Sequence, residues 1–204
     1  PLLDWLDHRA MYLNQLMRYD VPAEDTASEC SCCDWLQPQV FQCLDCFGLG
    51  MHCQECMLMQ HRSNPLHHVE KWNGLFFECT TLHELGLVTT LGHCGRACPH
   101  PTTGPADFVV LDFNGIHHIK IQFCKCSQAA TRPVQLLHVG WYPTSSWRPK
   151  SAVTFSLLQG FDIIQLQSKI SAYNYYTALE HITDNTSITT VAVSTCLICL
   201  YITS

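Results

Sequence analysis

The reading turns on CSCCDWLQPQVFQCLDCFGLGMHCQECMLMQHRSNPLHH, Cys30–His68, which holds seven of the chain's fourteen cysteines and four of its twelve histidines. Three C-x2-C pairs follow one another, Cys30/Cys33, Cys43/Cys46 and Cys53/Cys56. A histidine pair closes the stretch, His61 with His67 or His68. A C-x2-C knuckle turns the chain back so that two thiolates face one tetrahedral ion, which makes this spacing a zinc signature. Three knuckles and a histidine pair supply ligands for two Zn2+ ions. In a cross-braced wiring the first and third pairs share one ion, Cys30, Cys33, Cys53 and Cys56. The second and fourth share the other, Cys43, Cys46, His61 and His67. Cross-bracing lets a short segment fold around almost no hydrophobic core, because each structural zinc supplies on the order of 10 kcal/mol. Neighbouring pairs sharing an ion is the alternative wiring, and it places the histidine pair less naturally. Cys32 competes with Cys30 and Cys33 for the first knuckle, and His68 competes with His67. The spacing leaves both choices open.

The surroundings agree with structural zinc. The 204 residues are 47% hydrophobic and 14% charged, the composition of a globular chain of one ordinary domain or two small ones. Fourteen cysteines could instead build a secreted disulfide scaffold. Clustering at metal spacing and interleaved histidines favour zinc, and so does a first stretch, PLLDWLDHRAMYLNQLMRYD, with no apolar leader core. The implied compartment is intracellular and reducing. No run reaches the eighteen or so apolar residues of a membrane helix. Net charge is −6, but it is unevenly spread. Residues 1–56 hold nine acids against Arg9 and Arg18, whereas residues 113–161 carry Lys120, Lys125, Arg132, Arg148 and Lys150 and no Asp or Glu. That basic segment is either a sparsely charged solvated face or a surface that tolerates phosphate.

The remaining chain reads as α+β. Leu2, Leu3, Leu6, Tyr12, Leu13, Leu16 and Met17 recur at helical spacing and predict an amphipathic lead-in helix. QECMLMQ after Cys53 suits a short helix, and Leu75–Glu78 a strand. Thr81-Leu82-His83-Glu84 is a capping box, with Gly86 able to close the turn. Cys79 reads as a buried apolar residue. FVVLDF-NG-IHHIKIQF predicts a β-hairpin with Asn114-Gly115 as a type I′ turn. Its second strand alternates Ile119, Ile121 and Phe123 with His118, Lys120 and Gln122, and His117 and His118 read as ordinary strand residues. Where that hairpin ends, Cys124 and Cys126 with His93 and Cys98 suggest a third zinc site, for which Cys94 and His100 are competitors. Residues 133–157 suggest strands, VQLLHVGWY and SAVTFSL. FDIIQLQSKISAYNYYTALEHITDN predicts one helix, with Ile163, Leu166, Ile170, Tyr173, Leu179 and Ile182 as its core stripe. The last twenty residues carry no charge, and read as a buried strand or as an aberrant tail. Cys196 and Cys199 there read as apolar residues.

Taken in order, CLDCFG (43–48), CQEC (53–56), QHRSNPLHHVEKWNG (60–74), HELGLVTTLGH (83–93), CPHP (98–101), FVVLDFNGIHHI (108–119), FCKC (123–126), VQLLHVGWYP (134–143) and QSKISAYNYYTALEHITDN (167–185) resemble the CxC-type cysteine-cluster region associated with KDZ (Kyakuja-Dileera-Zisupton) transposases. The Cys30–His68 stretch is also similar locally to ZZ-type and B-box zinc fingers. The resemblance implies a zinc-chelating, non-catalytic module that accompanies a transposase in the nucleus and engages DNA or partner proteins. The family continues past the TDN stretch into a part with catalytic carboxylates, so the chain is expected to be truncated before that domain.

The expected organisation is a helical lead-in (1–27), a cross-braced ZZ/B-box-like cluster (28–74), a β-rich, zinc-supported domain with a closing helix (75–185), and an aberrant tail (186–204). DNA is expected on the basic strands. The alternative is a peptide- or protein-binding zinc module whose acidic half recruits a basic segment. An RNase H-like nuclease built on Asp112 is the remaining class, and it would need further carboxylates converging on metal ions. No small-molecule substrate and no membrane partner is expected.

Overall fold

The computed structural model describes residues 2–17, 29–33, 39–48, 50–93 and 96–184. These residues form a mixed α+β protein with five helices. They group into two compact units that divide between Leu87 and Val88.

The first unit opens with α1 (Leu2–Met17). Its apolar positions Trp5, Leu6, Leu13, Leu16 and Met17 are all exposed. A small antiparallel sheet follows, made of β1 (Phe41–Cys43), β2 (Val69–Trp72) and β3 (Phe77–Thr80), with β2 in the centre. Cys43 pairs with Val69, and Val69 with Thr80. The helix α2 (Gln54–Gln60) lies between β1 and β2 in sequence and buries Cys56 and Met57. Phe41, Cys43, Met57, Val69, Leu82 and Leu87 form one small core, with Leu58 and Leu85 packed against it. Asn73 turns β2 into β3 by accepting the backbone N–H groups of Leu75 and Phe76, an Asx turn that leaves Leu75 outside the strand. The capping box forms as expected. Glu84 N–H donates to Thr81 Oγ1 and Thr81 N–H to a Glu84 carboxylate oxygen, each at 3.1 Å. Gly86, at φ +98°, then closes the turn.

The second unit is a six-stranded mixed sheet. Its strands are β4 (Val88–Thr90), β5 (Pro101–Thr103), β6 (Phe108–Asp112), β7 (Gly115–Cys124), β8 (Trp141–Pro143) and β9 (Ser151–Thr154). The order is β4-β7-β6-β9-β8, with β5 also paired to β7. The long β7 organises it, because β4 runs parallel to residues 120–122 while β5 runs antiparallel to residues 122–124. Three helices complete the unit, α3 (Arg132–His138), α4 (Phe155–Ser168) and α5 (Ala172–Thr183). Leu111, Ile116 and Val153 of the sheet pack with Leu157, Phe161, Tyr176 and Leu179 of α4 and α5. Phe108, Ile119, Ile121 and Phe123 are also buried, and the rings of Phe108 and Phe123 meet edge-on.

Several local expectations are corrected. The hairpin loop is Phe113-Asn114 rather than Asn114-Gly115, since Gly115 pairs with Asp112. Gly115 alone of these takes positive φ, +144°, so the turn is not the I′ type, which needs it at both central residues. Residues 134–138, expected in a strand, lie in the helix α3. Pro133 sits in the first turn, where its missing N–H costs nothing, and the run is too short for periodicity to decide. The final helix is two helices. Lys169 takes a left-handed φ of 54°, and Ser171 recaps the chain by accepting the N–H of Asn174. The break resets the helical phase. The core therefore uses Leu157, Leu158, Phe161, Ala172, Tyr176 and Leu179, while Ile163, Leu166, Tyr173 and Ile182 are exposed. Cys79 is exposed on β3, not buried. Residues 20–25, Cys94 and the last twenty residues lie outside the described ones.

Candidate metal centres

Three clusters of four Cys/His side chains form, and within each the donor atoms all lie within 4.8 Å of one another. The first joins Cys30 and Cys33, on a turn, to Cys53 and Cys56 at the start of α2. The turn is fixed by Ser31 N–H donating to the Met51 carbonyl. Cys53 is the N-cap of α2 and Cys56 lies in its first turn, so one helix start aims both thiols the same way. Burial resists ionisation of Cys30, but backbone donors at Cys53, Cys32 and Cys33 outweigh it and hold the thiol down to about 6. The neighbouring Cys53 thiol and burial push Cys56 upward instead. Cys32 is exposed and outside the cluster of four.

The second cluster joins Cys43 at the end of β1, Cys46 on the following bend, His61 at the C-cap of α2, and His67 just before β2. His67 Nδ1 lies 3.4 Å from both Cys43 Sγ and Cys46 Sγ, and His61 Nε2 is 3.4 Å from Cys46 Sγ. His61 is 1% exposed, and its other nitrogen, Nδ1, is 2.9 Å from the Met57 carbonyl. A hydrogen bond there puts the proton on Nδ1 and leaves the Nε2 lone pair facing the thiols, the outer-shell arrangement that fixes a metal-binding tautomer. Burial, then the neighbouring His67, holds His61 below the usual histidine range, so the neutral ring is favoured. Burial pushes the Cys43 thiol up to about 12. The two histidine candidates separate here. Asp45 accepts the His68 backbone N–H at 2.6 Å and engages its Nδ1 at 3.1 Å, so His68 anchors the bend while His67 faces the thiols.

The third cluster is His93, Cys98, Cys124 and Cys126. Topology explains how positions thirty residues apart meet. Beyond β4 the chain delivers Leu91, whose N–H donates to the Gln122 carbonyl, and then Gly92 and His93 beside Cys124. Ahead of β5, which pairs Pro101 with Cys124, it delivers Cys98. His93 Nε2 is 3.3 Å from Cys124 Sγ and 3.5 Å from Cys126 Sγ, and the Cys98 and Cys126 sulfurs are 3.7 Å apart. Gly92 and His93 both take positive φ, +77° and 51°. A Cβ on Gly92 would lie 2.7 Å from that of Cys124, so only glycine lets the two segments approach this closely. Burial opposes ionisation of Cys98, yet the His100 backbone and the neighbouring Cys124 thiol hold it down to about 7. The Cys124 thiol raises Cys126 to about 11. Crowded thiols of opposed tendency form a donor set that a divalent cation would neutralise. The His100 carbonyl accepts the Lys125 N–H, and His100 stands outside the cluster.

The basic residues are placed on the second unit. Lys120 and Lys125 are exposed on and just after β7, and Arg148 and Lys150 are exposed before β9. Phe108 pairs with Ile119, and Val109 with Ser151, which puts Lys150 at the Lys120 end of the sheet. The Arg132 guanidinium stacks 5.0 Å above the Phe123 ring, a cation–π contact. Asp112 is 8% exposed and accepts hydrogen bonds from the Thr154 and Ser156 hydroxyls at the start of α4. Among the described residues it joins no group of convergent metal-ligating side chains. His118 pairs with Asp107, and His117 Nε2 lies 2.8 Å from the side-chain Oδ1 of Asn114. No helix among the described residues is long and apolar enough to cross a membrane.

A cysteine- and histidine-rich α+β protein with three groups that could each hold a metal ion is thus defined by fold and geometry together. Residues 82–187, just over half of the chain, match the family described as CxC2-like cysteine clusters associated with KDZ transposases, and the chain belongs to that family. The match spans all of the third cluster. It identifies an accessory cysteine-cluster domain of transposases rather than their catalytic part. No curated protein and no solved structure matches.

Proposed function

We propose that the chain is a non-catalytic, zinc-structured module of a KDZ-type transposase system, holding three structural Zn2+ ions and engaging DNA in the nucleus through its second unit. The carrying observation is the donor geometry. A tetrahedral zinc with Zn–S near 2.3 Å and Zn–N near 2.0–2.1 Å sets sulfurs about 3.8 Å apart and sulfur about 3.6 Å from nitrogen. Separations of 3.3 to 3.7 Å in the second and third clusters suit that ion. The donor sets are four thiols, two thiols with two imidazoles, and three thiols with one imidazole. Four protein ligands leave no open position for substrate, which is the pattern of a structural site. The first-with-third, second-with-fourth order of pairs supports a cross-braced, ZZ/B-box-like arrangement. Leu44 on the Cys43–Cys46 bend is half-exposed and Phe47 just past it stands fully in solvent, which favours a protein contact there over a nucleic-acid one.

Metal analysis of the reduced chain tests the zinc reading, with three ions expected; two would remove the third cluster and zero would sink the reading. For DNA, Lys120, Lys125, Arg148 and Lys150 are the expected phosphate contacts. Duplex binding should weaken steeply with salt, and each Lys→Gln or Arg→Gln replacement should flatten the slope by about 0.9. Binding indifferent to salt and to all four replacements would favour the peptide-binding reading.

A further inference from the structure

We propose that Gln135 is the positioning residue of the third cluster, its carboxamide standing in for a missing strand and locking the backbone of Cys124 where β7 becomes the Cys124–Cys126 knuckle. The inference rests on the reading of that cluster as a metal centre. Along β7 the even-numbered residues present their backbone groups to the β4 edge, where the Gln122 carbonyl accepts the Leu91 N–H. The odd-numbered ones face β5, with Gly104 N–H donating to the Ile121 carbonyl and Lys125 N–H to that of His100. Strand β4 ends at Thr90 and the chain swings through Gly92 to His93, so the ladder on that edge ends at the Thr90–Gln122 pair, two residues short of Cys124.

Gln135 fills the gap. Its Oε1 accepts the Cys124 N–H at 2.8 Å, and its Nε2 donates to the Cys124 carbonyl at 2.9 Å and to the Ala130 carbonyl at 2.7 Å. The side chain is 4% exposed, so these bonds are made away from water, where an unmade one is costly. Toward Cys124 the primary amide presents one acceptor and one donor, the backbone pattern of a paired strand residue, and its second N–H is left for Ala130. It also ties the first turn of α3 to the loop that precedes it through Ala130. Cys126 N–H donates to Cys124 Sγ, 3.4 Å away, so the backbone of the knuckle ties the two candidate ligands to each other. A buried glutamine in a helix is ordinarily only a satisfied core polar group. Here both of its ends close on one candidate ligand, and outer-shell partners of this kind are worth roughly 10–100-fold in metal affinity.

The test uses the full chain loaded with Zn2+, and in parallel with Co2+, comparing the native protein with Gln135→Met and Gln135→Glu. Methionine keeps the volume and loses every hydrogen bond; glutamate keeps an acceptor for the Cys124 N–H and loses both donations. Release to a chromogenic chelator should show two ions leaving at the native rate and one leaving ~10–100-fold faster in Gln135→Met. Gln135→Glu should fall between the two, and the Co2+ absorption of the three-thiolate site should shift while the other bands stay. Native release of the third ion in both variants overturns the proposal while leaving the zinc reading intact. Loss of all three ions together in both variants overturns it too, since Gln135 would then support the fold at large. A native chain that binds only two ions removes the metal centre itself, and the proposal with it.

Discussion

Two glycines with the same backbone angle separate close approach from conformational strain at the third cluster. Gly92 and Gly140 both sit at φ +77°. Alanine at either pays the left-handed penalty, about 1–2 kcal/mol. At Gly140 the added Cβ would meet nothing nearer than a Phe155 ring carbon at 3.9 Å, an ordinary contact, so the penalty ends there. At Gly92 it would meet Cys124 Cβ at 2.7 Å, far inside the 3.5–4.0 Å of a normal carbon contact. The partner is no flexible tip but the first side-chain atom of a candidate ligand whose backbone is bonded on both sides. Relief therefore requires moving either His93 or the Cys124 knuckle, at a further ~1–3 kcal/mol by the measure of overpacked cores. Gly92→Ala should thus weaken the third ion about 5- to 150-fold beyond Gly140→Ala. The assay is competition of the zinc-loaded chains against a chelator of known affinity, with thermal unfolding recorded on the same samples. Equal chelator curves for the two variants would refute the reasoning, because strain alone would then account for both.

Three other outcomes follow from particular contacts. Thr81→Ala removes one half of the reciprocal capping box and should lower the stability of the first unit by ~1 kcal/mol in chemical unfolding, with Glu84→Gln milder. Tyr175 is held above its ordinary value by burial and then by the Asp112 charge. Its folded pKa exceeds the unfolded one near 10, so its contribution is complete below pH ~10 and is lost as pH rises through the folded value. Tyr175→Phe should flatten the alkaline fall in stability relative to native protein, and parallel pH curves would count against this. Removing metal from the reduced chain with a strong chelator should abolish the structure of the first unit while helical signal from α4 and α5 persists; a single transition lost at once would contradict it.

What the sequence made legible tracks how locally each feature is determined. The first two groups are legible because C-x2-C knuckle spacing is written in adjacent residues, the third only through the Cys124/Cys126 pair and the ligand types of His93 and Cys98, and the capping box because it spans four. Which of His67 and His68 faces the thiols is not. It depends on Asp45 reaching across from the neighbouring bend, a contact between residues more than twenty apart. The break at Lys169–Ser171 escaped because Ile163, Leu166, Tyr173 and Ile182 keep helical spacing across it, and periodicity alone cannot register a change of phase. The α3 segment reads as a strand because its apolar run is short enough to suit both periods, although Pro133 is a helix-start signal. Gln135 carries no sequence signature at all: its role exists only because β4 stops short.

The two units place their clusters differently with respect to their cores, and this governs what each metal would do. In the first unit the buried apolar side chains are few, and Cys43 is itself a member of that core, while Cys30, Cys53 and Cys56 form a second cluster made of thiols alone. Without a cation the buried sulfurs there would repel one another when ionised and share only weak hydrogen bonds when neutral, so little would oppose chain entropy of about 1–2 kcal/mol per residue. In the second unit the packed face of Leu111, Ile116, Val153, Leu157, Phe161, Tyr176 and Leu179 includes none of the third cluster. The cluster sits at the far end of β7, where it joins the loops around β4 and β5 to the sheet. A metal there would fix a surface rather than found a core, and Lys125 lies between two of its candidate ligands in the chain. Occupancy of the third cluster would therefore set where that positive charge is held, which links the metal to the proposed phosphate contact more directly than either ion of the first unit could.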